Sequence, residues 1–217
     1  MSVFVTGTDT GVGKTSFTIW LLRRLRERGV RCAGYKPICC GDRDDALQLQ
    51  AAGSSGLTID EVNPIWLRIP AAPLAAARGE DRIIDLPALR EGFVRLKERF
   101  DFVAVEGVGG WMVPITSDYF SNDLAAELGL AVVVVAQNRL GCLNHTLLTV
   151  SAIAAAGLKC AGVILNHFTP ATDIALRTNG EILRCCLSVS VFERFESDST
   201  EIPAALREMM PEISDLP

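Results

Sequence analysis

Residues 7–15 read Gly7-Thr8-Asp9-Thr10-Gly11-Val12-Gly13-Lys14-Thr15, directly after the apolar run Val3-Phe4-Val5. Glycines let successive backbone N–H groups turn onto phosphate oxygens, and a helix starting at the lysine adds partial positive charge. In such a loop Lys14 reaches the terminal phosphates of a nucleoside triphosphate and the Thr15 hydroxyl sits on Mg²⁺. The common G-x-x-x-x-G-K spacing puts its first glycine where Thr8 stands, with Gly7 one residue earlier. A glycine-rich turn carrying a surface lysine is the plain alternative. The strand before the loop and the amphipathic run after it (Phe17, Leu21, Leu22, Leu25) argue against that alternative.

Three further stretches could do chemistry. The run from Phe100 to Gly110 is an apolar strand that ends in Glu106 and passes into a flexible loop, Gly107-Val108-Gly109-Gly110. A carboxylate so placed holds Mg²⁺ directly or through water, and the glycines let the backbone approach phosphates or substrate. In Gly34-Tyr35-Lys36-Pro37 the lysine closes another strand and faces the same crevice, suited to a transferring phosphoryl group or a bound anion. Read alone, Lys36 is also an ordinary surface residue. Asp45, within Asp42-Arg43-Asp44-Asp45, either reaches the metal or belongs to a helix-start charge pattern. In Leu140-Gly141-Cys142-Leu143-Asn144-His145 the backbone N–H groups of a helix start form an anion site suited to a carboxylate, or a simple cap near Asn144.

The elements that must hold these residues alternate. Strands are expected at 2–6, 31–35, 101–106, 131–136 and 160–165, and helices at 14–28, 44–52, 87–99, 121–128, 144–156 and 172–184. Near-continuous apolar strands suit burial on both faces. The expected fold is α/β: three layers, a mostly parallel sheet flanked by helices on both faces, in the manner of phosphate-loop NTPases. Ligands then bind at the carboxyl ends of the strands, where every motif above falls. Residues 53–86 are the least regular, with turns at Asn63-Pro64 and Pro70–Pro73 and a short Ala-rich helix near 71–78. The tail from Ser197 is acidic, with a short helix expected near 203–210.

Composition narrows the class. With 217 residues and no convincing boundary or repeat, residues 1–217 are read as one domain. A net charge of −5 without a basic run disfavours nucleic acid as a partner, and Arg23, Arg24, Arg26 and Arg28 read as a solvated helix face. The longest apolar run, Leu130 to Ala136, is too short to span a bilayer, and the glycine-rich loop lies where a signal peptide would need its apolar core. Seven cysteines without C-x-x-C or Cys/His ligand spacing read as reduced, mostly buried thiols of a cytoplasmic protein.

Together, and in this order and spacing, the phosphate loop, Gly34–Pro37, Asp45-Ala46-Leu47, Glu106–Trp111 and Leu140–His145 resemble the dethiobiotin synthetase family over roughly residues 2–170. The shifted first glycine is the normal form in that family. The resemblance implies ATP-dependent condensation of CO2 (or bicarbonate) with 7,8-diaminononanoate. The route runs through a carbamate and a carbamic–phosphoric mixed anhydride to dethiobiotin, ADP and phosphate, with Mg²⁺ as cofactor. It implies catalytic roles for Lys36, Lys14 and Thr10. It assigns nucleotide and metal contacts to Gly11, Val12, Gly13, Lys14, Thr15, Ser16, Asp45, Glu106, Gly107, Val108, Gly109, Asn166 and His167. Of these, Thr15, Asp45 and Glu106 surround the metal. Substrate contacts fall to Thr10, Lys36, Cys40, Gly141, Cys142, Leu143 and Asn144. The family is a homodimer in which the helix start at Leu143–Asn144 of one subunit receives the substrate carboxylate bound by the other. The chain departs from the pattern at Cys40, where the family has serine, and at His167, where it has the aspartate of an Asn-Asp pair at the adenine. Val108 replaces alanine, and Ser190-Val191-Phe192-Glu193 stands near the place of a Gly-x-Ile-Pro segment. Two alternatives share the phosphate loop. A cobyrinate-type amido-ligase normally carries a fused glutaminase domain for which 217 residues leave no room. A partitioning-type dimerisation switch usually has a second, early lysine that Thr8, Asp9 and Thr10 do not supply.

Overall fold

The computed structural model describes residues 1–168 and 173–195. Its main sheet has six strands: β1 (Ser2–Gly7), β2 (Cys32–Tyr35), β5 (Phe102–Gly110), β6 (Ala131–Gln137), β7 (Cys160–His167) and β8 (Val191–Phe195). They lie in the order β2-β5-β1-β6-β7-β8, and every pairing is parallel. The chain leaves β1 toward β2 and β5 on one side, then returns to lay β6, β7 and β8 on the other. The crevice at the carboxyl end of β1 is therefore a topological switch point, where open α/β sheets bind ligands.

The apolar strands serve two cores at once. Val3, Val5, Phe102, Ala104, Val133 and Val135 pack with Phe17, Leu21, Leu22 and Leu25 of α1 (Lys14–Glu27) and with Leu49 of α2 (Asp44–Ala52). The alternate residues Phe4, Val103, Val105, Val132 and Val134 pack with Leu89, Phe93 and Leu96 of α5 (Leu86–Arg99). The same core takes in Leu124 of α6 (Ser121–Leu128), Ile153 of α7 (Cys142–Ala155) and Leu183 of α8 (Ile174–Cys186). Side chains alternate along a strand, so a continuous apolar run is what two helical layers require.

Outside this frame, β3 (Ile38–Cys40) and β4 (Ile65–Leu67) form a second, two-stranded parallel sheet, with α3 (Ile59–Val62) before it and α4 (Pro73–Gly79) after it. The sequence reading has only turns and one Ala-rich helix in this region. Strands of three residues are too short to display a period. Residues 107–110, read as a flexible loop, instead continue β5, because Gly110 pairs with Gly7 across a local register shift. β8 is likewise absent from the sequence reading, and α7 begins two residues earlier than expected, at Cys142. The helix expected near 203–210 lies outside the described residues.

All seven cysteines are free; Cys32, Cys39 and Cys142 are buried, Cys40 and Cys160 half-buried, and Cys185 and Cys186 exposed. No helix among the described residues is long and apolar enough to cross a membrane.

Candidate active site

The loop after β1 ends in Gly13, whose backbone is left-handed at φ 92° and caps α1. A Cβ there would collide with the Asn166 amide, so only glycine fits. α1 then presents Lys14 and Thr15 in its first turn. The Lys14 ammonium donates to the Asp9 carbonyl at 2.9 Å, folding the lysine back over the loop. Desolvation first, then repulsion from the nearby Lys36 ammonium, lowers the Lys14 pKa to about 8. A site that destabilises its own cation is ready for an anion.

Lys36 leaves the end of β2 and is buried. Its placement rests on the segment from Val62 to Ile65 that leads from α3 into the small sheet. The Lys36 N–H donates to the Val62 carbonyl at 2.8 Å, and Asn63 Nδ2 donates to the carbonyls of Lys36 at 2.7 Å and Ile65 at 3.0 Å. The ammonium reaches Glu106 Oε1 at 2.6 Å and Asp45 Oδ2 at 3.0 Å. Burial alone would lower the Lys36 pKa, but the Glu106 and Asp45 carboxylates more than offset this, and the group stays charged well above the ordinary lysine range. Asp45 sits in the first turn of α2 and is both the helix-start charge and a member of the site. Burial works against its charge, but Lys36 and the Thr15 hydroxyl hold its carboxyl below the usual range.

Glu106 is fully buried. Its Oε1 also accepts from Thr15 Oγ1 at 2.7 Å, while Oε2 has no hydrogen-bond partner among the described residues. Buried carboxylate oxygens without a partner are rare and costly. One carboxylate oxygen still to be satisfied, the Thr15 hydroxyl and a second carboxylate at Asp45 are hard oxygen donors that fit Mg²⁺. Among the described residues no group of three or more His, Cys, Asp or Glu side chains could hold a metal ion. Mg²⁺ needs no such cage, since it keeps waters and takes substrate phosphates.

Lys14, Thr15, Lys36 and Asp45 line one cleft of about 730 Å³, while Glu106 is fully buried behind them. Thr10, Gly11, Gly13, Lys14 and Thr15 form one wall; Lys36, Cys39, Cys40 and Asp45 another; Val108 and Gly109 a third. Of the other residues singled out in the sequence, Val12 is buried, and Gly107 does not line the cleft but packs near Phe4. Ser16 Oγ accepts from Arg194 at 3.0 Å. Burial, then the charge of Glu80, pushes the Cys40 thiol up to about 11. Asn166 is buried, donating from Nδ2 to the Val12 carbonyl at 2.8 Å and the Gly13 carbonyl at 3.4 Å. His167 points to the other side of β7, with Nε2 3.0 Å from Glu193 Oε2 and Nδ1 3.3 Å from Asn138 Nδ2. Gly141, Cys142, Leu143 and Asn144 do not line the cleft of their own chain; Gly141 and Asn144 are exposed at the start of α7. As site residues, sequence reasoning missed Ile38, Cys39, Asp42, Pro70–Pro73, Val113 and Phe168, which complete the lining. Of these, the acidic cluster at Asp42 and the Pro70–Pro73 turn left a local signal.

A family model described as an AAA domain matches residues 1–198. The ATP-dependent dethiobiotin synthetase BioD of Akkermansia muciniphila is 45% identical over 175 residues, 81% of this chain and 82% of that protein. The protein of the same name from Endomicrobium trichonymphae is 35% identical, over 88% of this chain and 90% of its own length. The chain belongs to the ATP-dependent dethiobiotin synthetase family. Its members are ATP-dependent ligases of biotin biosynthesis, so the protein is an enzyme of the ligase class. Among solved structures, the septum site-determining protein MinD with Mg-ADP from Pyrococcus horikoshii matches with a TM-score of 0.56 at 18% identity, covering 98% of this chain and 86% of that one. That likeness concerns the fold, a phosphate-loop NTPase sheet.

Proposed function

We propose that the protein carboxylates 7,8-diaminononanoate with CO2 and closes the ureido ring of dethiobiotin at the expense of ATP. One amine adds to CO2 and loses a proton, giving a carbamate. A carbamate oxygen takes the γ-phosphoryl group and ADP leaves, giving a carbamic–phosphoric mixed anhydride. The second amine attacks the carbonyl carbon, phosphate departs, and the ring closes. Carbamate, triphosphate and leaving group are all anionic, so the enzyme's task is positioning and charge neutralisation.

The observation that carries this reading is the pair of buried ammonium groups, Lys14 and Lys36, meeting in one cleft between the phosphate loop and a wall open to a small molecule. Lys14 and the N–H groups of Gly11–Thr15 would bind the phosphates, and Thr10 would lie near the carbamate. Lys36 would neutralise carbamate and γ-phosphate, held in line by Asn63. Thr15, Asp45 and Glu106 would hold Mg²⁺, which when bound supplies charge neutralisation on the phosphate oxygens. Cys40 would face the substrate. The helix start at Gly141–Asn144, where Gly141 and Asn144 are exposed, would take the substrate carboxylate from the partner of a cytoplasmic homodimer. In this reading residues 1–217 act as one domain.

The test is direct. Purified protein with diaminononanoate, bicarbonate and Mg·ATP is expected to release ADP in step with a product of dethiobiotin mass. ATP turnover indifferent to diaminononanoate sinks the reading.

A further inference from the structure

The triphosphate has two ends, and the site described so far accounts for one. Lys14, Lys36, Asp45 and Glu106 gather where the terminal phosphates must lie. The nucleoside must then leave the loop in the other direction, across the first turn of α1 toward the ends of β7 and β8. The amide expected to read the base there is already engaged at both ends. Asn166 Nδ2 donates to the Val12 and Gly13 carbonyls, and its Oδ1 accepts from Arg194 Nη1 at 3.3 Å. Arg194 is the register partner of Asn166 across β7 and β8, and its other nitrogen reaches Ser16 Oγ at 3.0 Å. Asn166 and Arg194 therefore brace the phosphate loop and the start of α1.

What the cleft offers at this end is a ring. Phe168 follows β7 directly, and it is the one aromatic side chain among the described residues lining the cleft. It is half-buried, and its Cζ lies 3.0 Å from where a Cβ on Gly13 would stand, so the ring rests against the last glycine of the phosphate loop. We infer that Phe168 is the platform on which the nucleobase stacks, so that this chain holds its nucleotide by a π-face and not by hydrogen bonds from Asn166. Every base has a π-face, so this recognition tolerates any of them. The inference rests on the nucleotide reading of the cleft given above.

Calorimetric titration of the full chain with Mg·ATP, Mg·GTP, Mg·CTP and magnesium tripolyphosphate tests it, since the last has phosphates but no base. Phe168→Ala is expected to weaken all three nucleotides by a similar factor, about tenfold from the known strength of base–aromatic stacking, and to leave tripolyphosphate unchanged. Phe168→Trp is expected to restore nucleotide affinity. Equal weakening of tripolyphosphate would mean that the ring merely props Gly13, and unchanged ATP affinity would mean that it touches no base; either overturns the platform. Loss confined to one nucleotide overturns base tolerance. A wild-type chain that binds neither nucleotide nor tripolyphosphate overturns the underlying nucleotide reading as well.

Discussion

At the scale of single residues, the Lys36–Glu106 pair ties stability to chemistry. Glu106 is fully buried and Lys36 nearly so, and they meet at 2.6 Å. Removing one partner leaves an uncompensated charge, which costs about 3 kcal/mol or more. Lys36→Met is therefore expected to lower the denaturant midpoint clearly as well as to abolish turnover. Adding Glu106→Gln to it should return most of the stability without returning activity, and a single variant as stable as the parent would show that the pair is not coupled in the folded protein. Cys40 gives a second prediction. With its thiol pushed up to about 11, only about one part in a thousand is thiolate at pH 8. Iodoacetamide should label the exposed Cys185 and Cys186 first, and Cys40 labelling should rise roughly tenfold per pH unit up to about pH 11. Because a hydroxyl is the better hydrogen-bond partner, Cys40→Ser is expected to lower the KM for diaminononanoate, read from initial rates. The phosphate loop was legible in the sequence because its chemistry is local, whereas Lys36 read alone fitted a surface residue equally and took its place only from the resemblance. That Lys36, Asp45 and Glu106 form one ion cluster was not, because it depends on three elements meeting.

Elements explain both the success and the gaps of the sequence reading. The long strands and amphipathic helices showed themselves through continuous apolar runs and helical spacing, and their boundaries mostly fall within two residues of expectation. β3 and β4 did not, since three residues display no period, and Gly107–Gly110 looked like a loop because glycine carries no strand preference. Yet the turn that leads into the small sheet is what seats Lys36. Asn63 alone ties the Lys36 carbonyl to the Ile65 carbonyl while Arg43 Nε donates to its Oδ1 at 2.8 Å. Asn63→Ala removes a buried amide that serves three groups and leaves two carbonyls without that donor, at a cost of about 2 kcal/mol. The expected outcome is a lower Tm together with a larger fall in kcat than in Mg·ATP affinity, since the phosphate loop is untouched. Equal falls in both would mean that Asn63 supports the whole cleft and not Lys36 in particular.

For the whole molecule, the homodimer proposed above raises the question of which subunit's α7 would complete the site. Gly141 and Asn144 at the start of α7 are exposed but lie outside the cleft of their own chain, and Leu140 before the helix and Leu148 in its second turn are 81% and 62% exposed. Large apolar side chains bared before and along one helix are what a second copy would cover. In a two-fold dimer each site then draws Lys36 from one protomer and the α7 start from the other. Two separately inactive variants test this. Lys36→Ala disables the lysine side, and Asn144→Asp puts a negative charge where the substrate carboxylate would bind. If the α7 start serves the partner's site, a Lys36→Ala/Asn144→Asp heterodimer has one site carrying both defects and one carrying neither. Refolding an equal mixture should restore about a quarter of the wild-type rate, because half of the dimers are mixed and each has one sound site of two. If α7 instead serves its own subunit, every site in the mixture keeps one defect and the mixture stays as inactive as its parts.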